Sequence, residues 1–225
     1  LRDLIQGNDV RSGQQTLLPF SIYDFSVIPI ETISAVYEDF ISAEDSKKQR
    51  ETGAYYTPPK LVEFTTDLAT EGQPDLTGKR VLDPGCGSGV FLVSAFNRMA
   101  EAWIRRNNGA GNGRRATALA KILREQICGV DVSPIACQAT CFSLYMAMLD
   151  FLEPRQIRKL GKDRLPYLML DGSKRRKEGG PQTVIRGDFL SSLPAMEAQQ
   201  FHLILGNPPW VARGNVAQAA FAAWT

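Results

Sequence analysis

The 225-residue sequence predicts a doubly wound α/β fold, and three observations carry that expectation. Short apolar segments alternate with longer ones of helical periodicity. A glycine-rich turn joins the first strand to its helix, and Asp or Asn residues close successive strands. Alternation of this kind implies a parallel sheet with helices on both faces.

Taken in order, residues 1–30 show little periodicity, and Pro19 and Pro29 punctuate an aromatic-rich stretch. Ile33, Val36, Tyr37 and Phe40 fall at helical spacing over residues 31–41. A charged stretch, 44–51, separates this N-terminal extension (residues 1–50) from the main domain (51–225). Thr57 is expected to cap a helix that Pro58 opens and that runs to about residue 70. Residues 80–83 read as a buried strand, 90–106 as a helix, 114–126 as a second helix, and 127–131 as the next strand. Ser133 should cap a helix begun by Pro134 and running to about residue 151. Residues 167–170 are a possible strand, 173–180 a solvated loop, and 183–186 and 201–205 the last two strands.

Lys and Arg total 26 against 24 Asp and Glu, a formal charge of +2, which neither demands nor excludes a nucleic-acid partner. No apolar run is long enough to span a membrane, and no signal-peptide pattern opens the chain. Cys86, Cys128, Cys137 and Cys141 form no CxxC pair and only His202 could add an imidazole, so no metal site is expected. Free thiols suit a reducing cytoplasm. The chain opens on Leu1 and closes soon after its most informative motif, so it reads as a fragment.

In VLDPGCGSGVFL, Gly85, Gly87 and Gly89 follow Asp83 and Pro84 between strand and helix. Glycines belong where a backbone turns sharply within contact distance of a ligand. An Asp at that strand end suits a cationic ligand better than a pyrophosphate. S-adenosylmethionine, with its ammonium and sulfonium, fits. Asp131 ends the second strand, where a carboxylate can accept from both ribose hydroxyls, and Val132 beside it can pack on the adenine ring. The interval from the glycine turn exceeds the usual twenty or so residues; the Gly/Arg loop and a second helix account for the excess. Asp188, after the third strand, can accept from the cofactor's exocyclic amine, with Phe189 on the other ring face.

FHLILGNPPW delivers Asn207, Pro208, Pro209 and Trp210 to the same sheet edge. An aromatic amine is a poor nucleophile because its lone pair is delocalised into the ring. The Asn207 side-chain oxygen and the Pro208 carbonyl can accept its hydrogens and stabilise the charge growing on nitrogen. Proline adds rigidity without a competing N–H, and Trp210 offers a stacking surface for an extruded base.

AYYTPP, DPGCGSG, GVDVS, RGDFL and GNPPW, in that order, resemble the amino-terminal motifs of gamma-type DNA adenine methyltransferases, and IPIETISAVYEDF resembles segments of large restriction–modification or phage-defence methylases. Gly85 stands where the family often has alanine. The resemblance implies a Rossmann-like, S-adenosylmethionine-dependent methyltransferase sheet, here truncated after its fourth strand. It implies that Tyr56 and Thr57 belong to the cofactor site, with Thr57 and its helix N-terminus taking the methionine carboxylate. It also implies a target adenine flipped out of double-stranded DNA. The family's three later strands and target-recognition region are missing from these residues. Methylation by this chain alone is therefore expected to be weak or absent, and its open sheet edge is an expected self-association site.

Two alternatives stay open: an RNA-guanine or protein-glutamine methyltransferase, since both can carry Asn-Pro-Pro-aromatic, and a cofactor-binding scaffold without activity. Carbon-5 cytosine chemistry needs a Pro-Cys nucleophile that the sequence lacks. Arg105–Arg106, Arg114–Arg115 and residues 174–177 either meet phosphates or form solvated loops.

Overall fold

A computed structural model describes residues 57–71, 75–153, 166–169, 183–189 and 200–207. The elements are α1 (Pro59–Thr70), β1 (Val81–Asp83), α2 (Val90–Arg106), α3 (Asn112–Glu125), β2 (Ile127–Asp131), α4 (Pro134–Asp150), β3 (Val184–Arg186) and β4 (Leu203–Ile204). The strands form one parallel sheet in the order β3-β2-β1-β4. The expected N-terminal helix at 31–41 lies outside the described residues.

Side chains alternate across the sheet. Val81, Ile127, Val184 and Leu205 join the main core with Leu92, Phe96 and Met99 of α2, Leu119 and Leu123 of α3, and Leu144 and Met148 of α4. Leu82, Cys128 and Val130 form a second cluster on the opposite face, with Ile185, Phe189 and Phe201 against it. β1 is buried along its whole length, as is β2 up to Val130. Burial on both faces explains why these strands read as continuous apolar runs rather than alternating ones.

α1 docks by an unexpected face. It buries Val62, Thr66 and Thr70, while Leu61, Phe64 and Leu68 stay exposed. The threonines tolerate burial because each hydroxyl donates to the carbonyl four residues back, at 2.7 Å. Ser94 of α2 donates to Thr66 Oγ1, and Arg98 pairs with Asp67 at 2.6 Å.

Several expectations need correction. Pro58, not Thr57, is the N-cap of α1: Leu61 N and Val62 N both donate to the Pro58 carbonyl, and no side chain caps the helix. Pro59 then takes the first helical position, where a missing N–H costs nothing. Of the possible strand at 167–170, residues 167–169 are described, and there the pairing is a single parallel bridge from Met169 to Val184. The second helix begins at Asn112, two residues early. Ser133 does cap α4, accepting from Ala136 N at 3.3 Å.

Candidate active site at the carboxyl ends of the strands

In an open parallel sheet the ligand crevice lies where the strand order reverses. Here β1 leads to β2 on one side and pairs with β4 on the other, so that point falls between β1 and β4. The two strands end in Asp83 and in the Leu205–Gly206–Asn207 segment. Asp131, at the end of β2, lies on the far side of Asp83. The order of strands therefore brings three of the expected residues to one edge.

The glycine turn is pinned from three directions. Cys86 N donates to Val130 O at 3.0 Å, and Gly87 N to Asp131 Oδ2 at 2.9 Å. The Thr140 hydroxyl donates to Gly87 O at 2.8 Å. Gly87 and Gly89 have φ of 53° and 86°, the left-handed region that glycine adopts without strain. At Gly89 a side chain would also meet α4, because an added Cβ would fall 3.0 Å from Thr140 Cγ2 and 3.1 Å from Thr140 Cα.

Asp83 is 2% exposed. Its Oδ1 accepts from Gly85 N at 3.2 Å. Burial pushes its carboxyl up to about 7; the Gly85 amide pulls the other way and the Asp131 charge adds to the rise. Asp131 is raised too, chiefly by burial, against the pull of the amides of Ser133, Gly87 and Val132. Ser133 N donates to Asp131 Oδ1 at 2.8 Å, so each carboxylate oxygen already holds one backbone amide.

Asn207 is brought to the helical layer: its Nδ2 donates to Thr57 Oγ1 at 3.3 Å, across 150 residues of sequence. Val132 is exposed at the end of β2. Asp188 is exposed after β3, while Phe189 is half-buried against the Leu82–Cys128–Val130 cluster. Tyr56, Pro208, Pro209 and Trp210 lie outside the described residues.

Three residues without an assigned role in the sequence join the site. Gly206 lets the backbone cross Asp83: a Cβ there would fall 2.6 Å from Asp83 Oδ1. Its place directly before Asn207 was the available signal. Thr140 and Cys86 fasten the glycine turn to α4, with Thr140 Oγ1 3.4 Å from Cys86 Sγ. No sequence pattern announces Thr140, which lies inside an apolar helix. Burial disfavours the thiolate form of the four cysteines: it raises the Cys86 thiol and pushes Cys128 and Cys141 up to about 12 and Cys137 to about 11. The basic pairs have local partners: Arg105 pairs with Glu101, Arg106 with Asp75, and Arg115 Nη1 donates to Phe151 O. No helix among the described residues is long and apolar enough to cross a membrane.

The residues present fit S-adenosylmethionine. A buried carboxylate whose charge burial opposes is relieved by a cation, and the turn beside it holds Gly87 and Gly89 at positive φ, with no side chain between backbone and ligand. An open parallel sheet with these features defines a class: doubly wound α/β proteins with a ligand crevice at the switch point. The chain belongs to the N-6 DNA Methylase family, which it matches over residues 29–150. It also matches the Eco57I restriction-modification methylase family over residues 125–223.

The chain is similar to the type II methyltransferase M.BstVI of Geobacillus stearothermophilus, 29% identical over 71% of this chain and 24% of that protein. It is also similar to the type II restriction enzyme and methyltransferase RM.Eco57I of Escherichia coli, 26% identical over 91% of this chain and 24% of that protein. The solved structure of the type IIL restriction-modification enzyme MmeI in complex with DNA shares the fold. Its TM-score is 0.58 at 19% identity, covering 87% of this chain and 28% of that one. The chain spans about a quarter of the length of these two curated relatives.

Proposed function

We propose that the protein carrying this chain methylates the exocyclic amino group of adenine in double-stranded DNA, using S-adenosylmethionine, within a restriction–modification or phage-defence enzyme. The observation that carries this reading is the placement of buried Asp83 and of Asn207 at adjacent strand ends, on either side of the switch point between β1 and β4. The family match and relatives named as type II methyltransferases support the substrate class. DNA as partner is supported by MmeI, solved in complex with DNA.

When bound, S-adenosylmethionine supplies an electrophilic methyl group carried on a sulfonium. Asp83 offers negative charge to the cofactor's cationic end, and Gly85, Gly87 and Gly89 admit it to backbone contact. Asp131 uses its remaining lone pairs on the ribose hydroxyls, with Val132 against the adenine and Asp188 and Phe189 as the outer contacts. Thr57, with Tyr56, takes the carboxylate end. Pro58 and Pro59 contribute no N–H there, so the hydroxyl rather than the helix terminus makes that contact. Asn207 Oδ1 accepts a hydrogen from the target amine, which localises the nitrogen lone pair and steadies the positive charge developing there. Pro208 contributes a second acceptor, Pro209 rigidity, and Trp210 a surface for the flipped base.

The test is transfer of labelled methyl from S-adenosylmethionine to DNA by the intact protein, followed by nucleoside analysis. N6-methyladenine is expected, and Asn207→Ala should lower the rate by roughly 100-fold or more. Label in RNA or in protein glutamine would redirect the substrate assignment. An unchanged rate in Asn207→Ala would remove the mechanism.

A further inference from the structure

We propose that residues 31–41 dock as an amphipathic helix on the outer face of α1, so that the methyltransferase unit begins near residue 29 rather than after the charged stretch at 44–51. This concerns how the unit is assembled and does not depend on the chemistry proposed above.

α1 turns its more apolar side outward. Successive helical residues are about 100° apart. Val62, Thr66 and Thr70 therefore share the inward face, and Leu61, Phe64 and Leu68 share the roughly opposite one, where they are 49%, 64% and 60% exposed. Single exposed apolar side chains are ordinary on a protein surface, but three along one helix face mark a contact surface. The other large apolar side chains exposed among the described residues, Val132, Phe142, Tyr167 and Ile204, are scattered over different parts of the fold. The inward attachment of α1 is also thin. Val62 is its one fully buried large apolar side chain, and the rest of the contact is polar, through Ser94 and Arg98 of α2. Helices draw most of their stability from packing an apolar face, and the larger apolar face of α1 is the outer one.

Residues 31–41 fit that face. Ile33, Val36, Tyr37 and Phe40 fall on one side of a helix, with Glu31 and Glu38 on the other. Their stripe and the stripe on α1 each run two turns, about 10 Å. Residues 42–56 connect the segment to Thr57. A stretch of that length reaches about 50 Å when extended, well beyond the roughly 18 Å of α1. So short a tether gives a high effective concentration, whereas three side chains fall far short of the area that holds two separate chains together. The N-6 DNA Methylase match begins at residue 29 and runs to the end of α4, which places the segment and α1 in one family unit. Docked there, the segment braces the helix whose head brings Thr57 Oγ1 to 3.3 Å from Asn207 Nδ2.

Cross-linking of the intact protein tests the placement. Phe64→Cys is combined in turn with Val36→Cys, with Tyr37→Cys and, as the opposite-face control, with Glu38→Cys. Each variant is treated with a short bismaleimide, and peptide mass spectrometry reads the linked pairs. The native cysteines are buried or half-buried, and the unsubstituted protein gives the background. Links within one chain are expected from positions 36 and 37, several-fold above those from position 38.

Equal linking from all three positions would reveal an undocked tether and overturn the proposal. Links between two chains would do the same, because they assign the face to a second copy. So would an absence of links, whether the thiol at position 64 stays open to the reagent or is covered by another part of the protein. Leu68→Cys replaces Phe64→Cys if the latter fails to fold. Independently, Tyr37→Ala and Phe64→Ala should each lower the Tm by several degrees, and the double variant should lose less than the sum. Strictly additive losses would also overturn the proposal.

Discussion

The ends of β1 and β2 carry the same residue type in different circumstances. Asp83, on β1, is sealed beneath Gly206 and accepts from one backbone amide; its carboxyl is pushed up to about 7. Asp131, on β2, is half-buried and accepts from Gly87 N and Ser133 N, one on each oxygen. The first carboxylate costs the fold stability once it ionises, because burial opposes its charge. The second strengthens the fold by holding the glycine turn and the start of α4. The two strand ends thus combine a carboxylate whose charge burial opposes with one whose oxygens the backbone already engages.

The largest expected break in this contrast comes from Asp131→Ala. It leaves two backbone amides without their charged acceptor, and urea unfolding should show a loss of about 3 kcal/mol. Asp83→Asn should act in the opposite sense, raising the stability of the cofactor-free protein by about 2 kcal/mol at pH 8 while abolishing S-adenosylmethionine binding in calorimetry.

The Asp83 effect has a defined pH window. The folded protein keeps the Asp83 proton up to about pH 7, whereas the unfolded chain releases it near the ordinary value of 3.8. Stability from this group is therefore greatest below that value, declines as pH rises to about 7, and is level above. The gain from Asp83→Asn should vanish below pH 4. A gain of the same size at both extremes would show that charge burial is not its cause.

Gly206→Ala sharpens the comparison further. It should cost about 1–2 kcal/mol by overpacking Asp83, and nothing once Asp83 is alanine. The smallest expected effect is Gly87→Ala, about 1 kcal/mol. Its positive φ is strained for any side chain, but no atom lies within 4 Å of an added Cβ.

Much of this architecture was legible in the sequence. The helix expected at 90–106 is the observed Val90–Arg106, because the glycine turn starts it and an Asn/Gly loop stops it. The strand at 127–131 and the Ser133 cap are likewise local in origin. The start of α1 was not legible. Successive prolines offer two starting registers, and the choice between them frees the Thr57 hydroxyl for a partner 150 residues away.

Sequence by itself determined the strands, the helices that separate them, and the residue types at the strand ends, since periodicity, caps and glycines act over a few neighbours. Tertiary structure alone decided the order β3-β2-β1-β4, the burial of Asp83 beneath Gly206, and the meeting of Thr57 with Asn207. Those depend on which elements lie side by side. Solvent exclusion and contacts between distant side chains are properties of such neighbours, and no run of adjacent residues encodes them.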